Sequence, residues 1–440
     1  MKRFAAIVSA LALSALGVAG ALAARGGYLS SGEVDARPSS ATPELVARGD
    51  YLAKVGGCVS CHTQAGQPLM SGGVGITTPY GVVWPGNLTP DATTGLGAWG
   101  LADFRRALRH GQSRDGRLLS PAFPYTATTL LPDADVQALW AWLGTLPATA
   151  RPAPAATLSW PTNERWALAI WRGLYFTPGE LAPVPGQSAE WQRGALLVRG
   201  VAHCSACHDS RNALGAAREP GSLDGQLMPG GGWLAPSLLQ ADQAGVQAWR
   251  TEDIVALLRE GQSPQGRANG PMAEVVHANT RHLTLADAQA MATYLRALPL
   301  QPDAAPQAAM KTPAPATPAS SASQDGSSAI AVPGARLYAR HCAECHGDQG
   351  QGVPGVYPPL AGNRLVTMSR HNNLVRSVME GGFALPTAAE PRPYGMPPFG
   401  PLLSDPELAE LLSWMRTAWG HQAAPVSTVD INRLRGDLQR

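Results

Sequence analysis

Every cysteine of this 440-residue chain stands in the same five-residue setting. Cys58 and Cys61, Cys204 and Cys207, and Cys342 and Cys345 form three C-x-x-C pairs, and His62, His208 and His346 follow them directly. Three isolated pairs suit zinc poorly, because zinc would need two such pairs brought together on one ion. A thioredoxin-like dithiol does not need the following histidine. Six cysteines in an exported protein would ordinarily suggest three disulfides, but here the spacing gives a better account. Two thiols three positions apart can add to the two vinyl groups of one haem, and the adjacent histidine is then carried under the iron as its proximal ligand. The expectation is three covalently bound haem c groups per chain.

The motifs sit inside an internal repeat. One copy runs from Arg48-Gly49-Asp50-Tyr51-Leu52 through the first motif to Leu146-Pro147. The second runs from Arg193-Gly194-Ala195-Leu196-Leu197 to Leu298-Pro299, and the third from Gly334-Ala335-Arg336-Leu337-Tyr338 to about Gly420. Each copy closes on an apolar stripe at i, i+3, i+4 and i+7: Val136, Leu139, Trp140 and Leu143, then Ala288, Met291, Ala292 and Leu295, then Leu408, Leu411, Leu412 and Met415. That spacing predicts an amphipathic helix whose stripe is core. Ser404 with Glu407, and more weakly Thr284 with Asp287, read as capping boxes. No stretch alternates strongly enough to predict a large sheet. The fold class expected is mainly α, with three tandem small cytochrome c domains at residues 42–149, 186–300 and 331–420 joined by Pro/Ala-rich linkers. Residues 147–163 read as a semi-rigid connector, residues 301–330 as a disordered linker, and the chain from His421 as a loose polar tail.

Residues 1–24 read as a signal peptide or an N-terminal anchor. Lys2 and Arg3 precede an uncharged stretch from Phe4 to Ala24, and Ala21-Leu22-Ala23 resembles a cleavage site. Either way the rest lies outside the cytoplasm: a periplasmic protein associated with the inner membrane. A formal charge of +2 and the lack of any basic run argue against nucleic acid as a partner.

The sixth iron position separates electron carriage from ligand binding, and methionine there marks an electron carrier. Met396, in Tyr394-Gly395-Met396-Pro397-Pro398, stands in a stiff loop before the last helix, and Met272, in Gly270-Pro271-Met272, is its parallel. Met379 and Met291 fall in helical patterns and read as core. In the first copy Phe123 stands where a ligand is expected, and phenylalanine has no lone pair to offer. Three outcomes follow for that iron: an open or water-filled site, which the sequence favours, or ligation by His110 or by Met70.

At these residues the chain resembles the three-haem cytochrome c subunits of membrane-associated bacterial dehydrogenases, which serve alcohol, gluconate or sorbitol, and aldehyde-type enzymes. The matching segments are Asn87-Leu88-Thr89-Pro90-Asp91, Gly111-Gln112-Ser113-Arg114-Asp115-Gly116-Arg117, Trp233-Leu234-Ala235-Pro236-Ser237 and Tyr357-Pro358-Pro359-Leu360-Ala361-Gly362-Asn363. The last is similar to the proline loop that packs on a proximal histidine. The resemblance implies electrons taken from the catalytic subunit of a partner dehydrogenase and passed to quinone or a terminal oxidase. That family usually has methionine where Phe123 stands, so the resemblance does not supply the first haem's sixth ligand. No catalytic residues are expected, since the chain shows no Rossmann fingerprint, no Ser-His-Asp signature and no domain for flavin or pterin. The rival expectation is a peroxidase-like multihaem enzyme that uses the first haem as an open site.

Overall fold

The computed structural model describes residues 17–27, 41–229, 232–301, 332–383, 386 and 393–438. Among the described residues helices dominate, and the strands form only two-stranded antiparallel hairpins. The chain divides into two compact units. One takes in the chain up to Ala206 together with Arg211–Gly221, and the other holds Cys207–Ser210 and the chain from Ser222.

The first unit contains α1 (17–25), α2 (Pro43–Val55), α3 (Cys58–His62), α4 (Leu101–His110), α5 (Tyr125–Thr128), α6 (Asp133–Leu143), α7 (Arg165–Tyr175) and α8 (Ala189–Leu196). Thr42 starts α2 by accepting the Leu45 N–H at 3.3 Å, with Pro43 in the first turn. Its buried face, Leu52, Ala53 and Val55, packs on α6, which buries Val136, Leu139 and Leu143 as the stripe requires, while Trp140 is only half-buried. The crossing is close: a Cβ on Gly49 would lie 2.0 Å from the Ala138 carbonyl oxygen. Only glycine lets the two backbones meet there.

The connector at 147–163 is bound to the first copy. Thr157 N–H donates to Val82 O at 2.9 Å and Ser159 N–H to Tyr80 O at 2.8 Å, along the hairpin of Ile76–Thr78 and Gly81–Val83. The sequence pattern did not announce α7, which follows the connector.

The boundary between the units falls inside α9 (Ser205–His208). Beyond it come α10 (Thr251–Glu260), α11 (Pro271–Ala278) and α12 (Leu285–Ala297), the last opened by Thr284, which accepts the Asp287 N–H at 3.1 Å. The third copy comprises α13 (Pro333–His341), α14 (Ala343–His346), α15 (Arg364–Thr367), α16 (Asn372–Glu380), α17 (Asp405–Met415) and α18 (Thr428–Leu438). α13 packs on α17 as α2 does on α6, with a Cβ on Gly334 falling 2.4 Å from Glu410 O. The Ser404 N–H donates to the Glu407 carboxylate at 2.9 Å, and Leu408, Leu411, Leu412 and Met415 are all buried.

The expectation of a loose tail after His421 is wrong. α18 packs on α16 and α17 and buries Ile431 and Leu434. Arg435 fastens it by donating to Asp405 at 2.7 Å and to Gly400 O at 2.6 Å. Apart from Gln301, the linker expected at 301–330 lies outside the described residues, as do residues 1–16 of the signal or anchor segment. Among the described residues no helix is long and apolar enough to cross a membrane.

Candidate functional site

The three histidines are held in the same way at both ends. His62 Nδ1 donates to Gly86 O at 2.7 Å, His208 Nδ1 to Pro236 O at 2.8 Å, and His346 Nδ1 to Pro358 O at 2.9 Å. Each histidine's own carbonyl accepts a glycine N–H: from Gly72 at 2.9 Å, from Gly225 at 2.6 Å and from Gly352 at 2.7 Å. With Nδ1 engaged as a donor, the lone pair of the neutral ring lies on Nε2, which is the nitrogen a metal takes. Burial holds all three imidazoles below the usual histidine pKa, in the neutral form that coordinates.

The glycines are required by their geometry. Gly72, Gly225 and Gly352 all have positive φ, and a Cβ on Gly225 would come within 2.4 Å of Ser237 N, one on Gly352 within 2.5 Å of Tyr357 O. The family segments brace the same acceptors. Asn87 Nδ2 donates to Thr149 O at 2.7 Å next to Gly86, and Asp91 accepts the Thr94 N–H at 2.6 Å in the same loop. These hydrogen bonds hold the Asp91 carboxyl down at a pKa of about 2, the Thr94 backbone N–H contributing most. In the second copy Ser237 N–H donates to Gln243 beside Pro236.

All six cysteines lie on or beside the one-turn helices. Burial, and then the neighbouring cysteine, pushes Cys58 and Cys342 up to about 12, so neither is a thiolate. Among the described residues no group of three or more His, Cys, Asp and Glu side chains is placed to hold one metal ion. Two cysteines with a pinned histidine whose Nε2 carries the lone pair fit a covalent haem at each motif, and they do not fit shared zinc.

On the distal side Met396 lies in the hairpin of Gly382–Phe383 and Gly395–Met396. It packs half-buried against the third core, to which Cys342, Phe399 and Leu403 belong. Met272 is half-buried in the first turn of α11. Phe123 is half-buried ahead of α5, its ring 6.3 Å from that of Tyr125. Met70 is buried, with its N–H bonded to Thr63 Oγ1 and its carbonyl to Leu88 N–H, which places it among the loops that brace His62. His110 is exposed, and its carbonyl accepts from Arg172. Met291 and Met379 are core, as their helical positions predict.

Sequence reasoning missed the pinning glycines, the Gly86 carbonyl and one further residue. His203, next to Cys204, has φ of 40° and donates from Nε2 to Gly56 O at 3.1 Å. The approach to the second motif thus touches the approach to the first.

Domains this small hold a haem by two thioethers and a fixed histidine, the construction of a c-type cytochrome. The cytochrome c family profile matches residues 192–299 and 331–419. Over 417 residues the chain is 37% identical to the cytochrome c subunit of the quinone alcohol dehydrogenase of Gluconacetobacter polyoxogenes, covering 92% of this chain and 87% of that one. It is 33% identical over 409 residues to the gluconate 2-dehydrogenase cytochrome c subunit of Pantoea cypripedii, covering 90% and 91%. It is 32% identical over 439 residues to the fructose dehydrogenase cytochrome subunit of Gluconobacter japonicus, covering 96% and 89%. The chain belongs to the family of cytochrome c subunits of dehydrogenases, and its work is electron transfer on covalent haem c, with no catalytic role. The peroxidase alternative finds no support in these relatives.

Proposed function

We propose that the chain carries three haem c groups and passes electrons from a dehydrogenase catalytic subunit to quinone or a terminal oxidase, at the periplasmic face of the inner membrane. The observation behind this reading is the threefold pinning of His62, His208 and His346 by a carbonyl on the ring and a glycine N–H on the backbone. Haem supplies reversible one-electron iron chemistry. The protein would supply the covalent hold through Cys58, Cys61, Cys204, Cys207, Cys342 and Cys345, and the Nε2 of His62, His208 and His346 would ligate the iron. Met272 and Met396 are the proposed sixth ligands of the second and third haems, which raises their potentials. The first haem, with Phe123 in place of methionine, would keep an open sixth site. The chain is proposed to reach the periplasm behind residues 1–24 and to stay at the membrane surface.

The test combines the mature chain with a dehydrogenase isolated from the same membranes. Haem reduction should need both that enzyme and its substrate, and a quinone analogue should reoxidise the cytochrome. Sustained peroxide turnover by the chain alone would overturn the reading.

A further inference from the structure

α7 has two cations and no acid, and both cations are turned inward. Arg172 is 4% exposed. It donates to Gly26 O at 2.7 Å, His110 O at 2.5 Å and Gly111 O at 3.4 Å, and its guanidinium stacks over Tyr125 and Phe176. Arg165 donates to Gly116 O and Gly27 O. The same side of α7 meets α1 without space for a side chain: a Cβ on Gly173 would lie 2.1 Å from Leu22 O, and one on Gly26 would lie 1.9 Å from Ala169 O. The two arginines hold carbonyls at the end of α1, and the small residues let the backbones touch. α1 and α7 are therefore one packed pair.

The opposite side of α7 is apolar throughout. Trp166, Ile170 and Leu174 recur at i, i+4 and i+8 and make one stripe. Trp166 is 46% exposed and Leu174 50%, and Trp160, just ahead of the helix, is 75% exposed. The flanking positions are Ala167 and Trp171, and the Trp171 indole N–H is already spent on Leu214 O. On α1 Val18 is 61% exposed, and the sequence carries no charge from Phe4 to Ala24.

We infer that the α1–α7 pair is the surface that enters the lipid bilayer, with α7 lying in the headgroup region and its Trp166, Ile170 and Leu174 stripe facing the acyl chains. The inference rests on the membrane association proposed above and names the element responsible. A protein partner is the weaker occupant, because protein interfaces carry about one hydrogen bond per 100–200 Å² and this stripe offers one donor, the Trp166 indole N–H, and no acceptor. Exposed tryptophans beside an uncharged segment are the composition of a membrane–water interface. With both arginines engaged inward, no charge has to be desolvated when the stripe is buried.

The experiment floats the haem-loaded chain with α1 retained, together with phosphatidylcholine–phosphatidylglycerol vesicles. It compares wild type with Trp166→Glu/Leu174→Glu and with the apolar control Trp166→Leu/Leu174→Ile. Unchanged haem spectra and melting curves show that each variant is folded. The expected result is at least about a tenfold loss of vesicle binding in the double-glutamate variant and retention in the apolar control. Equal flotation of all three would overturn the role of α7 while leaving membrane association standing. Failure of the wild type to float, with dehydrogenase capture lost in the double-glutamate variant, would overturn the lipid assignment in favour of a protein face. Failure of the wild type to float, with capture intact, would overturn both readings.

Discussion

Gly352 shows what a single residue contributes to a haem site. Its N–H holds the His346 carbonyl, its φ is 64°, and a Cβ there would press on Tyr357 O. Gly352→Ala should cost about 1–3 kcal/mol of stability through backbone strain. Denaturant titration of the third-haem absorbance would measure it, and an unchanged midpoint would show that the loop absorbs the methyl group. The distal side makes a second prediction. The weak long-wavelength absorption that reports iron(III)–methionine bonding should fall in Met396→Ala and in Met272→Ala separately, and loss in neither would place the ligands elsewhere. At the first haem, reduced protein should bind one carbon monoxide per chain, and Phe123→Met should abolish the binding. All three haems low-spin with no binding would show that another side chain fills that position. The cysteines and histidines stand out in the sequence because the covalent attachment proposed for them requires a fixed spacing. The pinning glycines do not, because loops of different length carry Gly72, Gly225 and Gly352 ten, seventeen and six residues past their histidines.

At the scale of elements, periodicity revealed the closing helices, because each buries a full stripe against one partner. It missed α18 and α7. α18 buries Ile431 and Leu434, too few apolar positions to stand out in a polar segment, and its hold on the third copy comes from Arg435 reaching Asp405 and Gly400 O. Ile431→Ala should cost about 2–5 kcal/mol, as emptying a fully buried aliphatic site does. The loss should appear first in the third copy, whose α16 and α17 it packs against. A cost near zero would mean that α18 is dispensable. In α7 the sequence shows apolar residues on nearly every side, and only the structure separates the face held by Arg165 and Arg172 from the face left to its surroundings.

At the scale of the molecule, one motif design recurs three times in one chain, and on the function proposed above its consequence is an electron carrier with several iron centres. Composition, repeat and motif spacing were enough to read the class. The division of the described chain at Ala206, inside the second motif, was not legible, since nothing in the repeat marks it. The contact of His203 with Gly56 was equally hidden, because it joins residues 147 positions apart through a backbone carbonyl. On the proposed function each of the three motifs holds its own covalent haem. Intact mass measurement of the chain matured in a host with cytochrome c assembly machinery tests this most directly. A mass excess of three haems that survives denaturation and acid extraction is expected, and a fully matured chain carrying two or fewer would contradict the proposal.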